Sequence, residues 1–130
     1  MDAQQELFTR VKLDLEALGH SVYDTFLPPE NTPYPFDYLG DFRQSNGFHV
    51  KSGTTGSVYA TIHVWHNDPG QRGTVSQLMQ EICAVCGTIK HTDGYAWDIQ
   101  SLDNQILPDT TTKQPLLHGV IEAAFKFCRR

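Results

Sequence analysis

The chain has few cysteines, no long apolar run and no excess of basic charge, and each shortage removes a class of function. Three cysteines among 130 residues, an odd count, exclude a secreted disulfide framework and make a reducing cytosol the expected place of synthesis. No apolar run approaches the roughly 18 residues that a membrane-spanning helix needs. The opening Met1-Asp2-Ala3-Gln4-Gln5-Glu6 lacks the basic-then-apolar layout of a signal peptide, so no membrane association is expected. The net charge is −5, and the lysines and arginines form no stripe. Affinity for nucleic acid comes largely from Lys and Arg on phosphates, so specific DNA or RNA binding is disfavoured. A phosphate-cradling loop is missing too: the glycines within residues 44–57 do not lead from a strand into a helix.

What remains is an ordinary globular composition. Hydrophobic residues make up 39% and charged residues 19%, which argues against disorder and fits a single domain over residues 1–130. Leu7, Phe8, Val11, Leu15 and Leu18 recur at helical steps, with Asp2 placed to cap the start and Gly19 to end the helix in the left-handed conformation. A short apolar piece, 22–27, stops at Pro28-Pro29, and Glu30 to Pro35 is stiff and extended. Residues 36–42 predict an aromatic strand, and 44–57 a long mobile loop. The next strand places Val58, Ala60, Ile62 and Val64 on one face and Tyr59, Thr61, His63 and Trp65 on the other. Val75, Leu78, Met79, Ile82, Val85, Cys86 and Ile89 predict a second helix starting near Pro69-Gly70, with the Asp68 carboxylate at its first-turn amides. Strands over 95–102 and 117–127 follow, joined by a polar connection from Asp103 to Pro115. This order implies an α+β fold, a mostly antiparallel sheet of about four strands packed against two helices.

No catalytic constellation emerges. Cys83 and Cys86 form a C-x-x-C inside a helix, where neither a zinc ligand pair nor a thioredoxin-like site belongs, so they read as structural thiols. His63 and His66 sit three apart on a strand and point to opposite faces, and His49 and His91 lie in or near loops. No metal or cofactor site is assigned. Asp93, Asp98, Asp103 and Asp109 read as a solvated acidic face. The mixed row Tyr59, Thr61, His63 and Trp65 stands out, because helices on one sheet face only would leave these rings wet, and aromatic residues are enriched in interface cores. These four, with Lys51, Thr54 and Thr55 of the adjoining loop, are the candidate subunit or partner contacts.

Three segments carry a family resemblance. Thr32-Pro33-Tyr34-Pro35-Phe36-Asp37-Tyr38-Leu39-Gly40, Ala60-Thr61-Ile62-His63-Val64-Trp65-His66, and Leu117-His118-Gly119-Val120-Ile121 after the helix are similar to the tail completion (tail terminator, tail-to-head joining) family of long-tailed bacteriophages. The resemblance implies a non-enzymatic, cofactor-free virion subunit in the tail or neck, made in the host cytoplasm. It implies a ring of copies, expected to be a hexamer, on the head-proximal end of the tail tube. That ring ends tube growth and docks the head-to-tail connector, so the implied partners are the major tail tube protein and the connector or stopper. An acidic ring would let DNA slide through without specific binding. The alternatives are another neck component, such as a head-closure or adaptor protein, a small metal-dependent hydrolase using the histidines, and a ligand-binding module.

Overall fold

The computed structural model describes residues 2–24, 28–47 and 55–130. Asp2 accepts a hydrogen bond from the Gln5 amide at 2.9 Å and starts α1 (Ala3–Ala17), which buries Ala3, Leu7, Val11 and Leu15 on one stripe. Gly19, at φ +92°, then turns the chain out of the helix, a conformation that glycine adopts without penalty. Asp2→Ala is expected to lower stability by about 1 kcal/mol, seen as a lower urea midpoint at unchanged slope.

Five strands follow: β1 (Val22–Tyr23), β2 (Phe36–Asn46), β3 (Thr55–His66), β4 (Tyr95–Asp109) and β5 (Leu116–Arg129), with α2 (Arg72–Thr88) between β3 and β4. They form one sheet in the order β1-β2-β3-β5-β4, antiparallel except for the β1–β2 pair. The α+β class is as expected, with a fifth, two-residue strand at the edge. Two of the predicted connections are strand instead. Residues 44–46 and 55–57 extend the β2–β3 ladder, with Gln44 opposite Val58 and Asn46 opposite Gly56. The rest of that predicted loop, 48–54, lies outside the described residues. Residues 103–109 continue β4 as far as Asp109, opposite Leu116, and shorten the polar connection to 110–115. Asp68 does not cap α2: its carboxylate takes the Gly70 amide at 2.9 Å in the preceding turn, and Gln71 occupies the cap position.

Both helices pack on one face of the sheet, α2 over β3, β4 and β5 and α1 over β2. The buried rows Val58, Ala60, Ile62, Val64 on β3 and Leu117, Ile121, Ala123, Phe125, Phe127 on β5 meet Val75, Met79, Ile82 and Cys86 of α2 there. The register between Ile99 and Ser101 shifts, so β4 presents Trp97 and Ile99 to this core before the shift and Leu102 and Ile106 after it.

Candidate functional site

Among the described residues, no helix or strand covers the other sheet face. Strand alternation places on it Phe36 and Tyr38 of β2, Tyr59, Thr61, His63 and Trp65 of β3, and His118, Val120 and Glu122 of β5. Register builds cross-strand rows: Phe36–Trp65–His118–Leu107, and Tyr38–His63–Val120–Gln105 beside it. The rings close into a ladder. His118 lies flat on Trp65 with centroids 3.8 Å apart and planes 6° apart. His63 lies beside His118 at 4.9 Å and 18°, and Tyr38 follows at 5.7 Å. His63 Nδ1 and His118 Nε2 are 2.7 Å apart, so one ring nitrogen donates and the other accepts. Burial holds both imidazoles below the ordinary value; His63 adds to the lowering at His118, while Asp41 and Asp109 oppose it at His63 and His118 respectively.

Beyond the ladder the face changes character. The Arg43 guanidinium sits 4.4 Å over the ring of Tyr59, which is 40% exposed. Glu122 stands between Thr61 and Asp103 in its row, and Lys126 faces Asp98 in another. At the opposite end a groove of about 750 Å³ opens beside the ladder, floored by Tyr34, Phe36, Tyr38 and Trp65 and walled by Pro28, Pro29 and Leu116. Its outer wall turns at Asn31, whose φ of +66° suits the third position of the Pro29–Thr32 turn.

A second polar cluster lies under the sheet. His20, just past α1, has Nδ1 2.5 Å from Asp37 Oδ2 and Nε2 2.6 Å from Glu81 Oε1, tying the end of α1 to β2 and α2. Asp37 is only 1% exposed. Burial by itself lowers the His20 pKa, but the hydrogen bonds and charges of Asp37 and then Glu81 outweigh it, and His20 titrates above the ordinary imidazole value. Burial raises Asp37 against the pull of His20, and the bonds from His20 and Gln77 lower Glu81. The cluster is a strut: each ring nitrogen is occupied by a carboxylate, and among the described residues no side-chain hydroxyl or thiol bonds to it.

Tyr59, Thr61, His63 and Trp65 thus share one face, but only His63 and Trp65 join the ladder. Thr55 opens β3 at the far end, opposite Cys128, and Lys51 and Thr54 lie outside the described residues. Residue-by-residue reading missed His118 and Tyr38, which the β2–β3 and β3–β5 registers bring beside His63 and Trp65. It missed the His20–Asp37–Glu81 strut as well; Asp37, a carboxylate set between Phe36 and Tyr38, was its one visible sign. Cys86 is buried, and its thiol is pushed up to about 12, chiefly by burial and then by Cys83, which suits a structural thiol. Among the described residues no group of three or more His, Cys, Asp or Glu is arranged to hold a metal ion.

No family model matches the chain, and no curated protein matches its sequence. Solved structures share the fold. A chain from the virion of a native gene transfer agent particle superposes with a TM-score of 0.61 at 18% identity, over 98% of this chain and 93% of its own. The bacteriophage SPP1 gp17 protein does so with a TM-score of 0.53 at 19% identity, over 95% of this chain and 89% of its own.

Proposed function

We propose that this chain is a structural subunit of a phage-type tail, a terminator that caps the head-proximal end of the tail tube as a ring and joins it to the head connector. The observation that carries the reading is the shared fold with a gene-transfer-agent virion chain, which spans 98% of this chain and 93% of that one. The open sheet face supports it. Cyclic rings use two different surfaces of each subunit, and aromatic side chains clustered on an uncovered face suit such a contact. Tyr59, Thr61, His63 and Trp65 are the proposed contact residues on β3. The overall charge of −5 suits a passage through which DNA slides without being held. The ring, its number of copies, the tube protein and the connector all belong to this proposal.

Trp65→Ala is the direct test. Its ring stacks on His118, and loss of a central aromatic anchor is expected to weaken assembly by on the order of tenfold or more. Native mass spectrometry should show rings for the wild type and mainly single subunits for the variant, with the far-ultraviolet dichroism of both alike. Rings that survive in the variant would remove Trp65 from the contact. A wild-type chain that stays solitary and fails to bind purified tail tubes would overturn the terminator reading. Capture of portal-bearing capsids but not of tubes would favour a head-closure or adaptor role.

A further inference from the structure

The docking face has a hydrogen bond between two titratable rings near one end, which makes its geometry depend on proton count. His63 and His118 come from neighbouring strands, their planes differ by 18°, and their facing nitrogens are 2.7 Å apart. With both rings neutral, one N–H donates to the bare nitrogen of the other. With one proton added, an imidazolium donates to a neutral imidazole and the bond becomes charge-assisted. A second proton leaves two donors nose to nose, with no acceptor between them and two like charges at contact distance.

We propose that the His63–His118 bridge is a proton-operated latch: it holds the Tyr38–His63–His118–Trp65 ladder closed while the pair carries no more than one extra proton, and the second proton opens it and releases the neighbouring copy of this chain docked on this face. The release clause rests on the reading of this face as a subunit contact; the latch itself is a property of the isolated chain.

The surroundings set the range. Tyr38 and Asp41 face the pair from β2, Glu122 lies one row along on β5 opposite Thr61, and Asp109 approaches from β4. Asp41 and Asp109 favour the charged rings, and both rings are nevertheless held below the ordinary imidazole value by burial, so the pair is neutral at neutral pH. The first proton is placed well: His118 lies 3.8 Å over Trp65, where a cation on the indole face is favoured. Opening therefore belongs to the acid side of the ordinary imidazole range, and stability from the pair is lost as pH falls, the sign expected when the unfolded chain binds more protons than the folded one.

Two measurements on the isolated chain decide the latch. In the first, nitrogen NMR of the imidazoles follows both rings from pH 8 to pH 4. His63 and His118 should titrate in two separated, mutually dependent steps, and His63→Gln should leave His118 with a single ordinary step. In the second, emission of Trp65 in a Trp97→Phe background should drop with the first proton, as an imidazolium settles on the indole, and shift again with the second. Independent single-site titration of the two rings, with Trp65 emission flat until the dichroism itself collapses, would overturn the proposal. Where rings form, native mass spectrometry should show the wild-type rings holding above the second step and falling apart across it. Rings that ignore that step would overturn the release clause. A latch seen in a chain that never forms rings would sustain the proton chemistry and remove the terminator reading instead.

Discussion

His20→Ala is expected to destabilise the fold by about 3 to 5 kcal/mol at neutral pH, which urea unfolding would register as a large drop in midpoint. The cause is what the substitution leaves behind. Asp37 is 1% exposed and takes its hydrogen bond from His20 at 2.5 Å, so removing the ring strands a carboxylate in the core. Glu81 can turn to water, being about a third exposed, and contributes less. Adding Asp37→Leu to the His20→Ala variant is expected to recover much of the loss, because the buried charge has gone and the longer apolar side chain fills part of the void. A single variant that unfolds at the wild-type midpoint would show that the strut carries no stability. The pH dependence has a definite sign. The folded-state value of His20 lies above the ordinary 6.5, so its contribution is fully present below that value and fades as the pH rises through the folded-state value. Glu81, lowered by its bond to His20, adds a contribution that fades only in acid, as the pH falls through the folded-state carboxylate value. The strut is therefore expected to work best between the carboxylate range and the raised His20 value, and the stability gap between wild type and His20→Ala should narrow at both ends.

Gly119→Val carries the second large effect, a loss of about 2 to 3 kcal/mol from overpacking and a fall in Tm of about 10 °C. Gly119 lies on β5 beneath α2, and a Cβ there would sit 2.6 Å from Met79 Sδ and 3.2 Å from Val75 Cγ1. The Met79 thioether can swing aside, since unbranched side chains repack readily. Val75 has a stiff branch on the helix itself and yields only if α2 lifts from the sheet. Met79→Ala in the same chain is expected to restore part of the loss, giving a coupling between the two sites that calorimetry can read. A Tm within about 1 °C of wild type would mean that the helix rides higher over Gly119 than its side chains indicate.

Much of this architecture was legible because periodicity was strong where burial was one-sided. The stripe from Leu7 to Leu15, the alternation of Val58 to Val64 and the helical run from Val75 to Cys86 each sort into a buried and an open face as their spacing implies. β4 was legible only as far as its register shift. Past Ile99 the inward side changes from odd to even positions, so Leu102 and Ile106 fall out of phase, and the strand runs along the sheet edge with Asp103, Asn104 and Gln105 exposed. Such a segment has the polarity of a loop; even Pro108 is tolerated, because an edge strand has one side without ladder bonds. The ends of β2 and β3 were hidden similarly: Ser45, Asn46, Gly56 and Ser57 have loop composition and are held by pairing rather than by propensity. On the open face, alternation put Tyr59, Thr61, His63 and Trp65 in one row but said nothing of cross-strand neighbours. The His63–His118 bridge and the His20–Asp37–Glu81 strut both join residues far apart in sequence, and only the assembled registers bring them together.

The strand order gives the folding chain a timetable. β5, made after both of its partners, is inserted between β3 and β4 and pairs with both along most of its length. Until it arrives, the apolar row from Val58 to Val64 belongs to an unprotected border strand, and β4 has no other ladder partner among the described residues. The nascent chain thus spends its vulnerable interval with a sticky hairpin and a long polar strand waiting for their common neighbour. Crowding during synthesis threatens this protein most in that interval, before β5 slots between its two partners.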